Sequence, residues 1–129
     1  KHHYFTTVDQ VQNLITNGSV PVYIIDPIGL ESLYKQLEKY NICDREDIYV
    51  IYVYADEDTR LIRWLNRDRN NANITAAKNF RVRDNAETEQ FAEFEKDPNN
   101  YNLLINNSGN ASKQLNSAIM SNAMYNFAE

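Results

Sequence analysis

The sequence predicts an α/β fold in which a parallel sheet carries helices on both faces. Three short apolar runs have the composition of buried strands: "VPVYII" at Val20–Ile25, "IYVIYVYA" at Ile48–Ala55 and "YNLLIN" at Tyr101–Asn106. Segments with helical spacing of apolar residues alternate with these runs, which is typical of right-handed crossovers between parallel strands. The unbroken second run also suits a central parallel strand that is covered on both faces.

Composition and charge favour one folded domain spanning residues 1–129. Of the 129 residues, 43% are hydrophobic and 12% are aromatic, which is typical of a chain with a packed core. No apolar run reaches the roughly 18 residues that a membrane span needs, so no membrane partner is expected. The single cysteine, Cys43, excludes an internal disulfide and suits a reducing cytosol, which predicts a cytoplasmic location. A net charge of −5 predicts no bulk attraction to nucleic acid.

The first predicted helix precedes the first strand. Thr7, with Gln10 three residues later, has the pattern of a capping box. Asn17-Gly18 predicts the end of this helix, because glycine readily adopts the left-handed conformation that closes many helices. Apolar residues recur at helical spacing between these signals, at Val8, Val11, Leu14 and Ile15.

Asp26 follows the first predicted strand and begins the second helix. Its carboxylate can cap that helix, and Pro27 suits the first helical turn. Gly29 removes a side chain from the turn, so the backbone can approach a neighbour closely. The local sequence leaves two roles open for Asp26, a helix cap or a ligand contact at a strand end. The apolar face of the helix consists of Leu30, Leu33, Tyr34 and Leu37.

The second half of the chain continues the alternation. Asp56 can cap a third helix whose inward side chains are Leu61, Ile62 and Leu65. The polar segment Asp68–Asn79 is predicted to be a loop, and a helix is predicted over Phe80–Phe94. After the last strand, Gly109 precedes a terminal helix that carries Ala111, Leu115, Ala118 and Ile119.

Three polar residues lie at the ends of the predicted strands, namely Asp26, Asp56 and Asn106. Ligands of parallel α/β sheets bind beyond the carboxyl ends of the strands. A site is therefore predicted at this edge.

Six arginines occur within 24 residues of this acidic chain, at Arg60, Arg63, Arg67, Arg69, Arg81 and Arg83. Guanidinium groups bind phosphate oxygens in a forked geometry and stay charged, so the cluster predicts a small anionic ligand. A solvated helix face is the alternative explanation. The sequence offers no nucleophile paired with a base, and no cysteine or histidine group has zinc spacing, so no metal site is predicted.

Five segments occur in an order that resembles the guanylate kinase family of P-loop nucleoside monophosphate kinases. They are "YFTT" at Tyr4–Thr7, "VYIIDPIG" at Val22–Gly29, "IYVIYVYADEDTRLIRWLNRD" from Ile48, "FRVRD" at Phe80–Asp84 and "NYNLLINNSGNASKQLNSAI" from Asn100. The resemblance implies the three-layer fold of these kinases and a lid at about residues 68–83. It also implies ATP and Mg²⁺ as cofactors, and transfer of a phosphoryl group from ATP to GMP or a related nucleotide.

The resemblance assigns acceptor-binding roles to three residues. Tyr4 would contact the phosphate of the acceptor nucleotide, and Thr6 and Asp26 would contact its guanine base. Two departures from the family pattern bear on that base: Phe5 stands where the family has glycine, and Pro27 enters the Asp-x-x-Gly motif.

The resemblance assigns the chemistry itself to arginines. Arg67, and either Arg81 or Arg83, would contact the transferring phosphates as catalytic residues. The ATP-binding residues would be Arg63 and Asn106, or Asn107 if the strand shifts by one residue.

The family's G-x-x-x-x-G-K-[S/T] loop does not occur in these 129 residues. The chain is therefore expected to be the C-terminal two-thirds of a kinase, with an N-terminal P-loop segment that packs on it. One alternative is a catalytically inactive guanylate-kinase-like module that binds proteins or phosphopeptides. The other is a plain α/β interaction domain whose arginines are only solvated.

Overall fold

The computed structural model describes residues 8–67 and 73–128. The chain divides into two compact units, one extending to Ile48 and the other running from Tyr49 to Phe127. The expected single domain over residues 1–129 stays a prediction.

The fold class is mixed α/β, as the alternation predicted, and the described residues form one parallel pair of strands. The helices and strands are α1 Val8–Thr16, α2 Pro27–Lys39, β1 Ile51–Tyr54, α3 Glu57–Arg67, α4 Ile74–Lys96, β2 Leu103–Asn106 and α5 Lys113–Ala128. Short 3₁₀ turns occupy Arg45–Asp47 and Pro98–Asn100. None of the helices described is long and apolar enough to cross a membrane.

In the first unit, both helices end in the same backbone motif. Gly18 has a φ of 78°, and the N–H of Ser19 donates to the carbonyl of Leu14 at 2.9 Å, which is the Schellman arrangement. The predicted end of α1 at Asn17-Gly18 is thus confirmed. At the end of α2, Asn41 takes the left-handed position with a φ of 54°, and the N–H of Ile42 donates to Leu37 at 2.9 Å.

The predicted strand over Val20–Ile25 is wrong. The segment forms no strand, and its side chains face solvent, with Val22 66% and Ile24 104% exposed. An extended segment becomes a strand only when its backbone pairs with a neighbour, and none of the described strands pairs with this one. Pro21 also removes one backbone donor from it.

Arg45 fastens the 3₁₀ turn of the first unit to α2. Its Nη2 lies 2.7 Å from Glu31 Oε1, its Nε lies 3.1 Å from Glu38 Oε1, and its guanidinium carbon lies 4.5 Å from the centre of the Tyr34 ring. Hydrogen bonds to the two glutamates raise the pKa of Arg45 above its usual value. The one arginine outside the sequence cluster therefore has a structural role.

In the second unit, β1 and β2 pair in parallel, with Ile51 opposite Leu103 and Tyr54 opposite Asn106. The predicted run Ile48–Ala55 shortens to four residues of strand, and Val53 is 47% exposed. The expectation of a central strand is wrong, because among the described strands β1 has β2 as its sole partner.

The two faces of this sheet are covered by different helices. On one face, Tyr52 is buried against the α4 rings of Phe91 and Phe94, with centroids 6.4 and 5.6 Å away. Leu103 projects to the other face, because it alternates with Leu104, the register partner of Tyr52. There Leu103 shares an apolar groove with Ile119 and Phe127 of α5.

The predicted loop over Asp68–Asn79 is wrong from residue 74 onward, because α4 begins at Ile74. The side chain of Asn73 accepts a hydrogen bond from the N–H of Ala76 at 2.9 Å, so Asn73 caps the helix. This cap and the following alanines favour helix despite the weak apolar periodicity. The helix also continues to Lys96, beyond the predicted end at Phe94. Of the expected lid at about residues 68–83, positions 68–72 lie outside the described residues.

The left-handed positions at the two helix ends predict opposite effects of substitution. Gly18→Ala should lower the free energy of unfolding by about 1 kcal/mol, because a Cβ is strained at positive φ. Asn41→Gly should raise that free energy for the same reason. Urea unfolding of the whole chain measures both changes, with Ser19→Ala as the matched control for α1. Equal stability of all these variants would contradict the motif.

Ionisation of the Tyr52 hydroxyl is expected to lower the stability of the folded chain at alkaline pH. Its hydroxyl donates to Glu95 Oε2 at 3.2 Å, and burial, followed by the charge of Glu95, raises the pKa of Tyr52 from 10.0 to about 12. The raised folded pKa means that this contribution to stability is complete below pH 10 and is lost as the pH rises through about 12. Tyr52→Phe should flatten the decline of stability over that interval, as measured by thermal unfolding at several pH values. An unchanged pH profile in the variant would argue against a titrating Tyr52.

Candidate functional site

An ion pair joins α3 to α4 at the start of the arginine cluster. Arg60 Nε and Nη2 each lie 3.0 Å from an oxygen of the Asp84 carboxylate, a bidentate geometry. Arg60 Nη1 also donates to the backbone carbonyl of Ala55, just past β1. The hydrogen bonds that Arg60 donates to Asp84 raise the pKa of Arg60 above its usual value. All three guanidinium nitrogens of Arg60 thus donate to protein oxygens, and the ion pair joins the two helices.

Further along the same two helices, two other arginines lie near one aromatic ring. Trp64 of α3 contacts Phe80 of α4, with centroids 6.0 Å apart, and Phe80 is only 6% exposed. The guanidinium carbon of Arg67 lies 6.0 Å from the centre of the Trp64 ring, and that of Arg83 lies 5.5 Å from it. We call Trp64, Arg67 and Arg83 the Trp64 cluster.

The two guanidinium groups of the Trp64 cluster are accessible from solvent, so a dissolved ligand can reach them. Arg83 is 63% exposed and lies 3.5 Å from Glu87, in a loose pair one helical turn away. Arg67 is exposed and has no carboxylate within ion-pair distance among residues 8–67 and 73–128. Since exposed pairs of this kind contribute little, a phosphate can displace Glu87 from Arg83 at small cost.

Helix geometry separates the two candidates for the arginine that follows the lid. Arg81 and Arg83 are two residues apart on α4, so their side chains project about 200° apart around the helix. Arg83 lies on the side of Trp64, and Arg81 is exposed away from it. Arg83 is thus the one of the two that lies near Trp64, as Arg67 does. Which of them matches the arginine that follows the expected lid stays a prediction. Arg63 is exposed on α3, one turn before Arg67.

The carboxyl ends of the two strands are joined by hydrogen bonds. The N–H of Asp56 donates to Ser108 Oγ at 2.9 Å, and the N–H of Gly109 donates to Thr59 Oγ1 at 2.8 Å. The Asp56 carboxylate accepts from the N–H of Thr59 at 2.8 Å, which caps α3 as predicted and lowers the pKa of Asp56. Thr59 is a buried polar residue, 7% exposed. The segments that follow β1 and β2 are therefore tied together at this edge.

Asn106, predicted to lie at ATP, is the last residue of β2. Its Oδ1 accepts from the N–H of Ser108 at 3.0 Å, and its backbone carbonyl accepts from Asn116 Nδ2 at 3.0 Å. Its side-chain oxygen therefore shapes the turn after the strand. The adenine contact expected of it, or of Asn107, stays a prediction.

Asp26 lies in the first unit, where it caps α2. Its Oδ1 accepts from the N–H of Gly29 at 2.6 Å, so the capping role is confirmed. A Cβ on Gly29 would come within 2.9 Å of Ile25 Cγ1 and 3.0 Å of that same carboxylate oxygen, which explains the glycine. A contact between Asp26 and a nucleotide base stays a prediction.

Tyr4 and Thr6, the other two residues expected to bind the acceptor nucleotide, lie outside the described residues. Within the described ranges, no group of three or more histidine, cysteine, aspartate or glutamate side chains could hold a metal ion. The Mg²⁺ implied by the resemblance therefore has no ligand set among these residues.

Trp64 and Asp84 are the site residues that sequence reasoning did not single out. The signal for Asp84 was present in "FRVRD", where one carboxylate directly follows an arginine pair. Trp64 could have been found as the only tryptophan, three residues before Arg67 and therefore on the same side of the helix.

No family model, curated protein or solved structure matches this chain. The likeness to guanylate kinases thus remains an expectation drawn from the five quoted segments. The geometry of the Trp64 cluster does not depend on that likeness.

The buried hydroxyl of Thr59 predicts a cost of substitution at the strand ends. Thr59→Val keeps the shape but leaves the N–H of Gly109 without its acceptor, which should cost about 1–3 kcal/mol of unfolding free energy. Thr75→Val, at an exposed position in the first turn of α4, is the matched control. Denaturant unfolding measures both, and equal effects of the two variants would refute the role given to Thr59.

Proposed function

We propose that this chain is the arginine-bearing part of a guanylate-kinase-like nucleoside monophosphate kinase, in which Arg67 and Arg83 bind nucleotide phosphates. The observation that carries the proposal is the position of both guanidinium groups, whose carbons lie within 6.0 Å of the centre of the Trp64 ring. The two helices that bear them are joined by the ion pair between Arg60 and Asp84. Both guanidinium groups are exposed, and a phosphate that reaches this ring offers oxygens to each of them.

The chemistry of the proposed reaction requires positioning and charge neutralisation. In phosphoryl transfer, negative charge spreads over the oxygens of the moving group, and arginines stabilise it without forming a covalent bond. Arg67 and Arg83 would bind these oxygens, and Arg63, one turn earlier on α3, would bind an outer phosphate of ATP. The acceptor would be GMP or a related nucleotide, with Tyr4 as a further phosphate contact.

ATP needs a second element in this proposal. Phosphates of ATP are held in P-loop enzymes by a glycine-rich loop and its lysine, together with Mg²⁺. The 129 residues contain no Gly-Lys pair and only Gly18, Gly29 and Gly109 as glycines. We therefore expect these residues alone to bind a nucleotide monophosphate, and transfer from ATP to require a P-loop supplied by another segment.

The second candidate is a catalytically inactive module of the same architecture that binds phosphorylated peptides. The engagement of Asp26 in helix capping favours it, because a carboxylate already held at 2.6 Å by Gly29 contributes less to base selection. The Trp64 cluster would then bind a phosphoserine or phosphothreonine group.

Calorimetric titration of the chain with GMP tests phosphate binding. Arg67→Ala and Arg83→Ala should each weaken GMP binding by about tenfold or more, because each removes a charge-assisted hydrogen bond of about 1.5–3 kcal/mol. Arg81→Ala should leave the affinity nearly unchanged, since its side chain projects away from Trp64. Lys96→Ala, at the far end of α4, controls for the loss of one positive charge.

The same titration separates the candidates. Binding of GMP in preference to a phosphoserine peptide supports the kinase, and the reverse preference supports the binding module. In the full natural protein, Arg67→Ala should then lower kcat for ATP-dependent phosphorylation of GMP by about a hundredfold. A folded chain that binds neither ligand would refute both functions and leave the arginines as solvated surface.

A further inference from the structure

We infer that Trp64 is a positioning residue that directs Arg67 and Arg83 onto a common phosphate. The inference rests on the proposed phosphate-binding function, and it adds a residue that neither the resemblance nor the arginine spacing assigns. Long arginine side chains on a helix surface otherwise sample many rotamers. A ring that both guanidinium groups contact limits that freedom before the ligand binds.

The packing of Trp64 fixes the ring itself. Phe80, almost fully buried at 6% exposure, lies against it with centroids 6.0 Å apart and planes inclined by 49°. Arg67 follows Trp64 by three residues on α3, and Arg83 follows Phe80 by three residues on α4. Each arginine is therefore one turn beyond an aromatic residue of its own helix, and the two aromatic residues pack together.

The charges around the ring favour an anion. Two guanidinium groups near one ring place like charges in the same neighbourhood, and the negative face of the indole attracts each of them. Glu87 lies 3.5 Å from Arg83, but both side chains are largely exposed. Asp84, which directly follows Arg83 in the sequence, is already bound to Arg60 through both carboxylate oxygens. A phosphate that bridges Arg67 and Arg83 would offset these like charges, and the side chains would then move from the ring toward the ligand.

Trp64 is the only tryptophan in the chain, so its fluorescence reports on this ring alone. Titration with inorganic pyrophosphate or GMP should change the emission of the wild-type protein. The emission change should be absent in the double variant that carries both Arg67→Ala and Arg83→Ala. It should also be absent when the wild-type protein is titrated with potassium chloride, in place of the ligand, to the same ionic strength. A wild-type emission that does not respond to pyrophosphate or GMP, at concentrations where calorimetry shows binding, would overturn the inference.

Calorimetry on ring variants separates positioning from packing. Trp64→Leu should weaken GMP and pyrophosphate binding by about fivefold or more, and Trp64→Phe, which keeps a ring, should recover most of that loss. Guanosine, which lacks the phosphate, should bind all variants equally if it binds at all. Tyr125→Leu, at an aromatic side chain of α5 that is 71% exposed, is the matched control.

The outcomes distinguish this inference from the function on which it rests. Pyrophosphate binding that depends on Trp64, without GMP binding, would support the positioning role and overturn the nucleotide kinase. GMP binding of equal affinity in Trp64→Leu and wild type would overturn the positioning role and leave the kinase proposal standing. An equal loss of guanosine and GMP affinity in Trp64→Leu would assign the residue to packing alone and overturn the inference. If Trp64→Leu does not fold, the wild-type fluorescence and the Trp64→Phe titration decide the matter.

Discussion

The bidentate ion pair between Arg60 and Asp84 is the interaction on which the candidate site depends. Each helix of the α3–α4 pair carries half of the site, and the residues that join them in sequence, 68–72, lie outside the described residues. The pair is only partly buried, with 38% of the Arg60 side chain and 16% of the Asp84 side chain exposed, so its own contribution to stability is on the order of 1 kcal/mol. The pair matters for geometry, because its two hydrogen bonds help to keep α3 and α4 in one orientation relative to each other.

The same arginine connects the site to the sheet. Arg60 donates to the carbonyl of Ala55. The next residue, Asp56, caps α3 with its carboxylate, and its N–H donates to the hydroxyl oxygen of Ser108, just after β2. The parallel pair of strands, separated by a long crossover, is thereby tied to the start of the helix that bears Trp64. This arrangement uses the carboxyl edge of the strands for structure, and the exposed Arg63 and Arg67 lie about two and about three helical turns beyond Asp56 along α3.

The sequence predicted local features well where a few neighbouring residues determine them. Helix caps at Asp26 and Asp56 and the stop at Gly18 depend on hydrogen bonds within one turn, and all were visible as residue types. The false strand at Val20–Ile25 shows the limit, since apolar content does not provide a backbone partner. The false loop before Phe80 shows a second limit, because the Asn73 cap and helix propensity prevailed over a weak apolar pattern.

Within the candidate site, the sequence predicted a cluster of arginines but could not say which of them already bind other side chains. Arg60 and Arg67 look equivalent in the sequence, yet one is bound to Asp84 from 24 positions away and the other is open. Such pairing depends on the packing of α3 against α4 and is not encoded in either segment alone. The role of Trp64 is of the same kind, since its contact with Phe80 exists only in the folded unit.

The most direct measurement of the central claim is a nuclear magnetic resonance titration of arginine side-chain Nε–H signals in the folded chain with GMP, followed by pyrophosphate. If Arg67 and Arg83 bind one phosphate while Arg60 stays paired with Asp84, the signals of Arg67 and Arg83 should shift together with one dissociation constant. The Arg60 signal should not shift. A shift of Arg60 comparable to theirs, or separate constants for Arg67 and Arg83, would contradict this claim.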